Sequence, residues 1–219
     1  MFEVSKMEPR EVAELVMDRI WGYCSKNRDD VAVKCYADHH PDELGTFIYS
    51  FLPEKEAEEL KKVMANSSTF LDEVKKEYEK LWNEEMSLRY GQLLSDEITG
   101  GYESIIQNDE ISDETKAKRL KAYAKVLSEF ANAINRALRE KKPLTELELL
   151  DWFDKMGDAV FGLKNYNYYE MIGYYVGFYE GLNDTGKLDV LSILLDEIGN
   201  VLYDIDKDLS ELGALANER

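Results

Sequence analysis

The soft donor atoms of this chain are few and gathered in one short stretch. Cys24, Cys35, His39 and His40 are its only cysteines and histidines. Zinc takes such ligands in a tetrahedron, in compact modules with short, paired spacings. The spacing here, C-x10-C-x3-H-H, matches none of them, and adjacent histidines seldom bind one ion together. Two buried thiols beside a polar loop are the simpler expectation, because free cysteine packs like a small hydrophobe. Two cysteines make no disulfide framework, so reduced thiols and a cytoplasmic setting are expected. Neither histidine has the Gly-framed serine or paired nucleophile that general-base catalysis would require.

Carboxylates are abundant, with 45 Asp and Glu residues, and only one local pattern stands out. Residues 195–202, LDEIGNVL, resemble the second metal-binding helix of the all-α nucleotide pyrophosphohydrolases. The resemblance implies a divalent cation on Glu197 and Asp196 and phosphoanhydride hydrolysis. Asn200 stands where that family's pattern has Asp. The partner Glu-x-x-Glu helix expected just upstream is replaced by an aromatic stretch; Glu11 and Glu14 have the spacing but lie far away. A helical di-iron site needs Glu three residues before His, and Tyr36 and Ala37 occupy those places. Walker and GxGxxG loops are missing, so no cofactor is expected.

The formal net charge is −18, unevenly spread. Residues 116–142 hold nine Lys and Arg against two Glu. Lys118, Arg119, Lys121 and Lys125 in that segment are a candidate anion or acidic-partner patch. Neutralisation by acidic neighbours in the same chain, with some of the residues simply solvated, is the simpler expectation for them. An acidic surface disfavours direct nucleic-acid binding, which depends on neutralising phosphates, and disfavours anionic membranes. Basic proteins or metal cations suit it better. Size and acidity are similar to those of the signal-peptide-binding maturation chaperones of redox enzymes. His40-Pro41-Asp42 runs in the opposite order to that class's acidic-Pro-x-Asp-His type motif.

The elements that must position these residues all read as helices, and no strand-like alternation occurs. Leu120, Tyr123, Leu127, Phe130, Ile134 and Ala137 recur with alternating spacings of 3 and 4, a heptad seam. Thr145-Glu146-Leu147-Glu148 is a capping box opening a helix with Leu149, Phe153, Met156, Val160 and Leu163 inward. Leu191, Leu194, Ile198, Val201, Ile205, Leu209 and Leu212 form a last seam, which Gly213 should stop. Ser67-Ser68-Thr69 with Asp72 starts a helix whose inner face takes Val74, Tyr78, Trp82 and Leu88. That helix should fray at Gly100-Gly101. The expected fold is an all-α antiparallel helical bundle of about seven to nine helices with a helical N-terminal appendage. Residues 1–65 form the appendage, 66–213 the main bundle and 214–219 a tail.

Residues 165–182, NYNYYEMIGYYVGFYEGL, hold six of the fourteen tyrosines. Gly173, Gly177 and Gly181 fall on one side of a helix there. Because the segment is apolar nearly all round, burial as a core rod is expected. The glycines would then admit a neighbouring backbone, and Gly177→Leu should unfold the protein. The second reading makes Gly173, Gly177, Gly181, Tyr168, Tyr175 and Tyr179 a partner-docking or self-association surface; a small-ligand pocket is the third. The functional expectation is protein–protein interaction in an adaptor, chaperone-like or inhibitory role, with a possible homodimer and no membrane. A carboxylate-bound metal enzyme and an acidic nucleic-acid mimic are the alternatives.

Overall fold

The structure is a computed structural model that describes residues 6–27, 29–67, 69–162 and 166–217; the side chains of residues 29, 30, 166, 167 and 214–217 lie outside the description. Among the described residues there is no strand. Nine α-helices occur: α1 Pro9–Cys24, α2 Asp29–Ala37, α3 Leu44–Phe47, α4 Glu54–Asn66, α5 Phe70–Ile106, α6 Asp113–Glu140, α7 Glu146–Phe161, α8 Tyr166–Glu180 and α9 Asp184–Asn217. Short 3-10 turns, Pro41–Glu43 and Ile48–Phe51, flank α3. The all-helical bundle expected from the sequence is what forms. No helix of the described residues is long and apolar enough to cross a membrane.

The chain divides into two compact units, Met1–Arg89 and Tyr90–Arg219. The division falls inside α5 and not at the residue 65 boundary expected from the sequence. Helix α5 also fails to fray at Gly100-Gly101 and runs unbroken for 37 residues. Its buried stripe in the first unit is Val74, Tyr78, Trp82 and Met86, at steps of four. Leu88, expected inside, lies two residues past Met86, on the other side of the helix, and is exposed.

In the first unit, α1 buries Val12, Val16, Ile20 and Cys24. Trp82 and Tyr78 of α5 bind the end of α2 and the residues just after it. The Trp82 indole donates to the Tyr36 carbonyl at 2.9 Å, and the Tyr78 hydroxyl donates to the His39 carbonyl at 2.9 Å. The guanidinium of Arg89 lies over the Trp21 and Tyr36 rings at 5.0 and 5.4 Å while pairing with Glu85.

In the second unit the heptad seam of α6 is fully buried, as are Leu191, Leu194, Ile198, Val201 and Ile205 of α9. Helix α6 packs along both α9 and α7, and α8 packs on α7. The α7 start behaves as its sequence dictates. Thr145 accepts from the Glu148 amide at 3.2 Å, and the Glu148 carboxylate accepts from the Thr145 amide at 2.8 Å. Leu163, expected inward from α7, is outside the described residues. Gly213 does not stop α9, which continues to Asn217, so the separate tail expected at 214–219 is largely helix; residues 218 and 219 are outside the description.

Candidate functional site

Helix α8 is rotated away from the sequence expectation, and that rotation defines the leading site. Ile172, Val176 and Tyr179 are its buried residues. At 100° per residue Gly177 and Gly181 lie away from that face together with Glu170 and Tyr174, and Gly173, half-buried, lies at its flank. A Cβ built on Gly173 or Gly177 would meet nothing within 4 Å. Among the described residues no neighbouring backbone approaches Gly173 or Gly177, so α8 is not the wrapped core rod. It covers the bundle with one face and shows the other to solvent.

The tyrosines divide accordingly. Tyr179 is fully buried, with its ring 6.4 Å from that of Tyr90. Burial pushes the Tyr179 hydroxyl up from its ordinary range. Tyr168 packs its ring edge-on to Phe161 at 5.7 Å and covers the Cα of Gly157. Tyr175 is half-buried. These three, grouped with the glycines from sequence alone, sit on the other side of the helix or at its edge. The outward aromatics are Tyr169 and Tyr174, 47% and 49% exposed. Tyr174 is braced edge-on by Phe178 at 5.1 Å. Equal spacing of aromatics around the helix hid this split, and only packing reveals it.

The close-approach glycines are elsewhere. A Cβ on Gly91 would come 2.7 Å from Ile193 of α9, and one on Gly157 would come 2.7 Å from the Tyr168 ring. Sequence reasoning missed both because single glycines inside apolar helices carry no local signature.

The soft donors of the first unit are brought together. Cys24, at the end of α1, and Cys35, on α2, form a disulfide across 11 residues. The reduced, separate thiols expected from composition are thereby corrected: the turn between α1 and α2 sets their Cα atoms 5.6 Å apart, within bonding range. His39 joins them. One ligand atom from each of the three lies within 4.8 Å of the others, and no other such group of His, Cys, Asp or Glu occurs among the described residues. His40 does not take part; its ring packs on Trp82 at 4.9 Å and its Nδ1 accepts from the Asp42 amide.

Among the described residues Glu197 and Asp196 gather no third carboxylate. Glu197 accepts from the Thr99 hydroxyl of α5 and from Asn200 at 3.4 Å, while Asp196 is exposed. Asn200, the departure from the pyrophosphohydrolase pattern, is thus a donor to Glu197. On α6, Lys118, Lys121 and Lys125 are exposed and form no ion pair with a described residue. Solvation of part of this basic face was one half of the expectation; these three lysines are on the solvated side. Arg119 turns inward and donates to the Val160 carbonyl at 3.0 Å.

A cleft of about 660 Å³ lies at the α6–α7 turn, lined in part by Arg136, Lys142, Glu148 and Trp152. Its charges answer one another. Hydrogen bonds from Thr145, with Lys142 and Arg136 nearby, hold the Glu148 carboxyl below its usual range. No family model, curated protein or solved structure matches this chain.

Proposed function

We propose that this protein works by protein–protein contact, docking a basic helix of a partner on the outward face of α8. The observation that carries this reading is the open space at the Cβ positions of Gly173 and Gly177 beside the exposed Tyr169 and Tyr174. Each glycine costs a helix roughly 1 kcal/mol relative to alanine. No contact within the described chain uses the space left at these two. A partner helix crossing there could bring its backbone close, with the tyrosines as rigid amphipathic anchors.

Charge selects the partner. Glu170 lies in the stripe, no Lys or Arg occurs between residues 165 and 182, and the chain carries −18 overall. A basic helix is complementary to that field. A second copy of this chain would instead oppose like carboxylates, which disfavours the homodimer. Adaptor, chaperone-like and inhibitory roles all operate through such a surface. The cytoplasmic setting remains part of this proposal, with Cys24–Cys35 as a disulfide of the transient, redox-responsive kind found there.

The test compares proteins captured from the native host by the wild type, Gly177→Leu and Tyr174→Ala, all shown equally folded by melting. Basic proteins held by the wild type, released by salt and lost from both variants are expected. The same set from all three would end the proposal. A dimer that Gly177→Leu dissociates would replace the partner by a second copy.

A further inference from the structure

We propose that Cys24, Cys35 and His39 form a redox-gated zinc site in the first unit. Oxidised, the cysteines are a disulfide. Reduced, their two thiolates and the His39 imidazole bind one Zn²⁺ and leave its fourth position open to water.

The geometry meets three demands of such a site. First, the donors converge: the two Sγ atoms and one nitrogen of the His39 ring lie within 4.8 Å of one another. A tetrahedron with Zn–S of about 2.3 Å and Zn–N of about 2.0–2.1 Å sets its ligand atoms roughly 3.5–3.8 Å apart. After reduction the two sulfurs separate and the histidine nitrogen approaches them, movements that rotation about the Cα–Cβ bonds can supply. Second, the histidine is prepared as a ligand. His39 Nδ1 lies 2.6 Å from the Cys35 carbonyl oxygen. In the tautomer that donates from Nδ1 to that oxygen, Nε2 keeps its lone pair for a metal. Metal-binding histidines characteristically donate their second N–H to a carbonyl or carboxylate, which fixes tautomer and ring orientation. Third, the ring and its backbone are held. Phe47 and Phe51 meet the ring edge-on at 5.1 and 5.0 Å, and Tyr78 binds the His39 carbonyl at 2.9 Å.

Access differs across the site. Cys24 is fully buried, whereas Cys35 and His39 are half-buried, so solvent, a reductant and an ion reach it from one side. His40, turned to Trp82 and Asp42, supplies no fourth ligand. Three protein ligands plus an open position is the zinc arrangement that accepts an exogenous molecule.

The chemistry balances with one external reductant. A dithiol gives two electrons and two protons to the Cys24–Cys35 disulfide and itself becomes a disulfide. Zn²⁺ then displaces the two thiol protons as the thiolates bind. A small-molecule disulfide reverses the sequence: it takes two electrons from the two thiolates and two protons from solvent, becomes two thiols, and the Cys24–Cys35 disulfide that forms releases the ion.

The test uses Co²⁺ as a spectroscopic probe on the whole chain, reduced and then freed of reductant. The reduced protein should bind a single Co²⁺ with near-ultraviolet thiolate charge transfer and tetrahedral visible bands, both abolished by Zn²⁺. The oxidised protein, identical in sequence, should show neither. Cys35→Ser, at a half-buried position and checked for folding by melting, should lose the charge-transfer band. His39→Gln should keep it but bind at least tenfold more weakly. Absence of the band from the reduced wild type would overturn the proposal. So would equal bands in the oxidised protein, or an unchanged band in Cys35→Ser.

Discussion

The hydroxyl of Tyr123 on α6 lies 2.6 Å from where a Cβ of residue 101 would stand, and the same hydroxyl donates to the Ile98 carbonyl at 2.7 Å. Gly101 is therefore what lets a fully buried tyrosine reach the backbone of α5. Gly101→Ala should destabilise the protein by about 1–3 kcal/mol through overpacking. Tyr123→Phe should cost about 1 kcal/mol for the lost hydrogen bond. The two should not add, because Phe removes the nearest clashing atom. Chemical denaturation of both single variants and the double variant measures the coupling. Strict additivity would contradict the contact.

Gly177 is the opposite case. With nothing within 4 Å of its Cβ position, Gly177→Ala should stabilise α8 by up to about 1 kcal/mol through helix propensity alone. The unfolding of Gly177→Leu expected from the sequence is withdrawn for the same reason. A thermal melt of Gly177→Ala below that of the wild type would show that a neighbour does occupy the stripe.

Burial, and secondarily Asp96, raises the Glu97 carboxyl above its ordinary 4.5. Tyr123 and Tyr168 also face it. The folded state thus holds this proton where the unfolded state has released it. Its stabilising contribution is complete below about 4.5 and is lost as pH rises through the folded value. Glu97→Gln, which cannot ionise, should gain on the wild type between pH 4 and pH 8. Melting both proteins across that range isolates the effect from the remaining carboxylates; a constant difference would contradict it.

The Cys24–Cys35 bridge closes a loop with a sequence separation of 11. By loop-closure entropy its reduction should cost roughly 3 kcal/mol. Urea titrations with and without a dithiol, both in chelator, read the change. An unchanged midpoint would mean that the reduced loop keeps its ends together.

How much of this was legible in the sequence depended on contrast. The α6 seam and the Thr145–Glu148 cap were readable because apolar residues alternate with charges and the cap uses a fixed offset. Helix α8 was not readable. Tyrosine is apolar enough to suit the core and polar enough to face water, so a helix carrying six of them nearby declares no inner side. Helix α5 hid its continuity behind two glycines, one of which is covered by Tyr123 from a distant segment. The cysteines hid their pairing because 11 residues span many distances until the α1–α2 turn fixes one. The placement of Glu197 against Thr99 likewise depended on two helices meeting far apart in sequence.

The central claim, a partner helix on the outward face of α8, is tested most directly by photocrosslinking from position 177 in the native host. A photoreactive residue replaces Gly177, and a control carries it at the exposed Glu129 of α6. The account predicts a covalent adduct from position 177 to a basic protein, mapped by mass spectrometry to a helical segment, and none to that protein from position 129. No adduct from 177, or the same adduct from both positions, would contradict it.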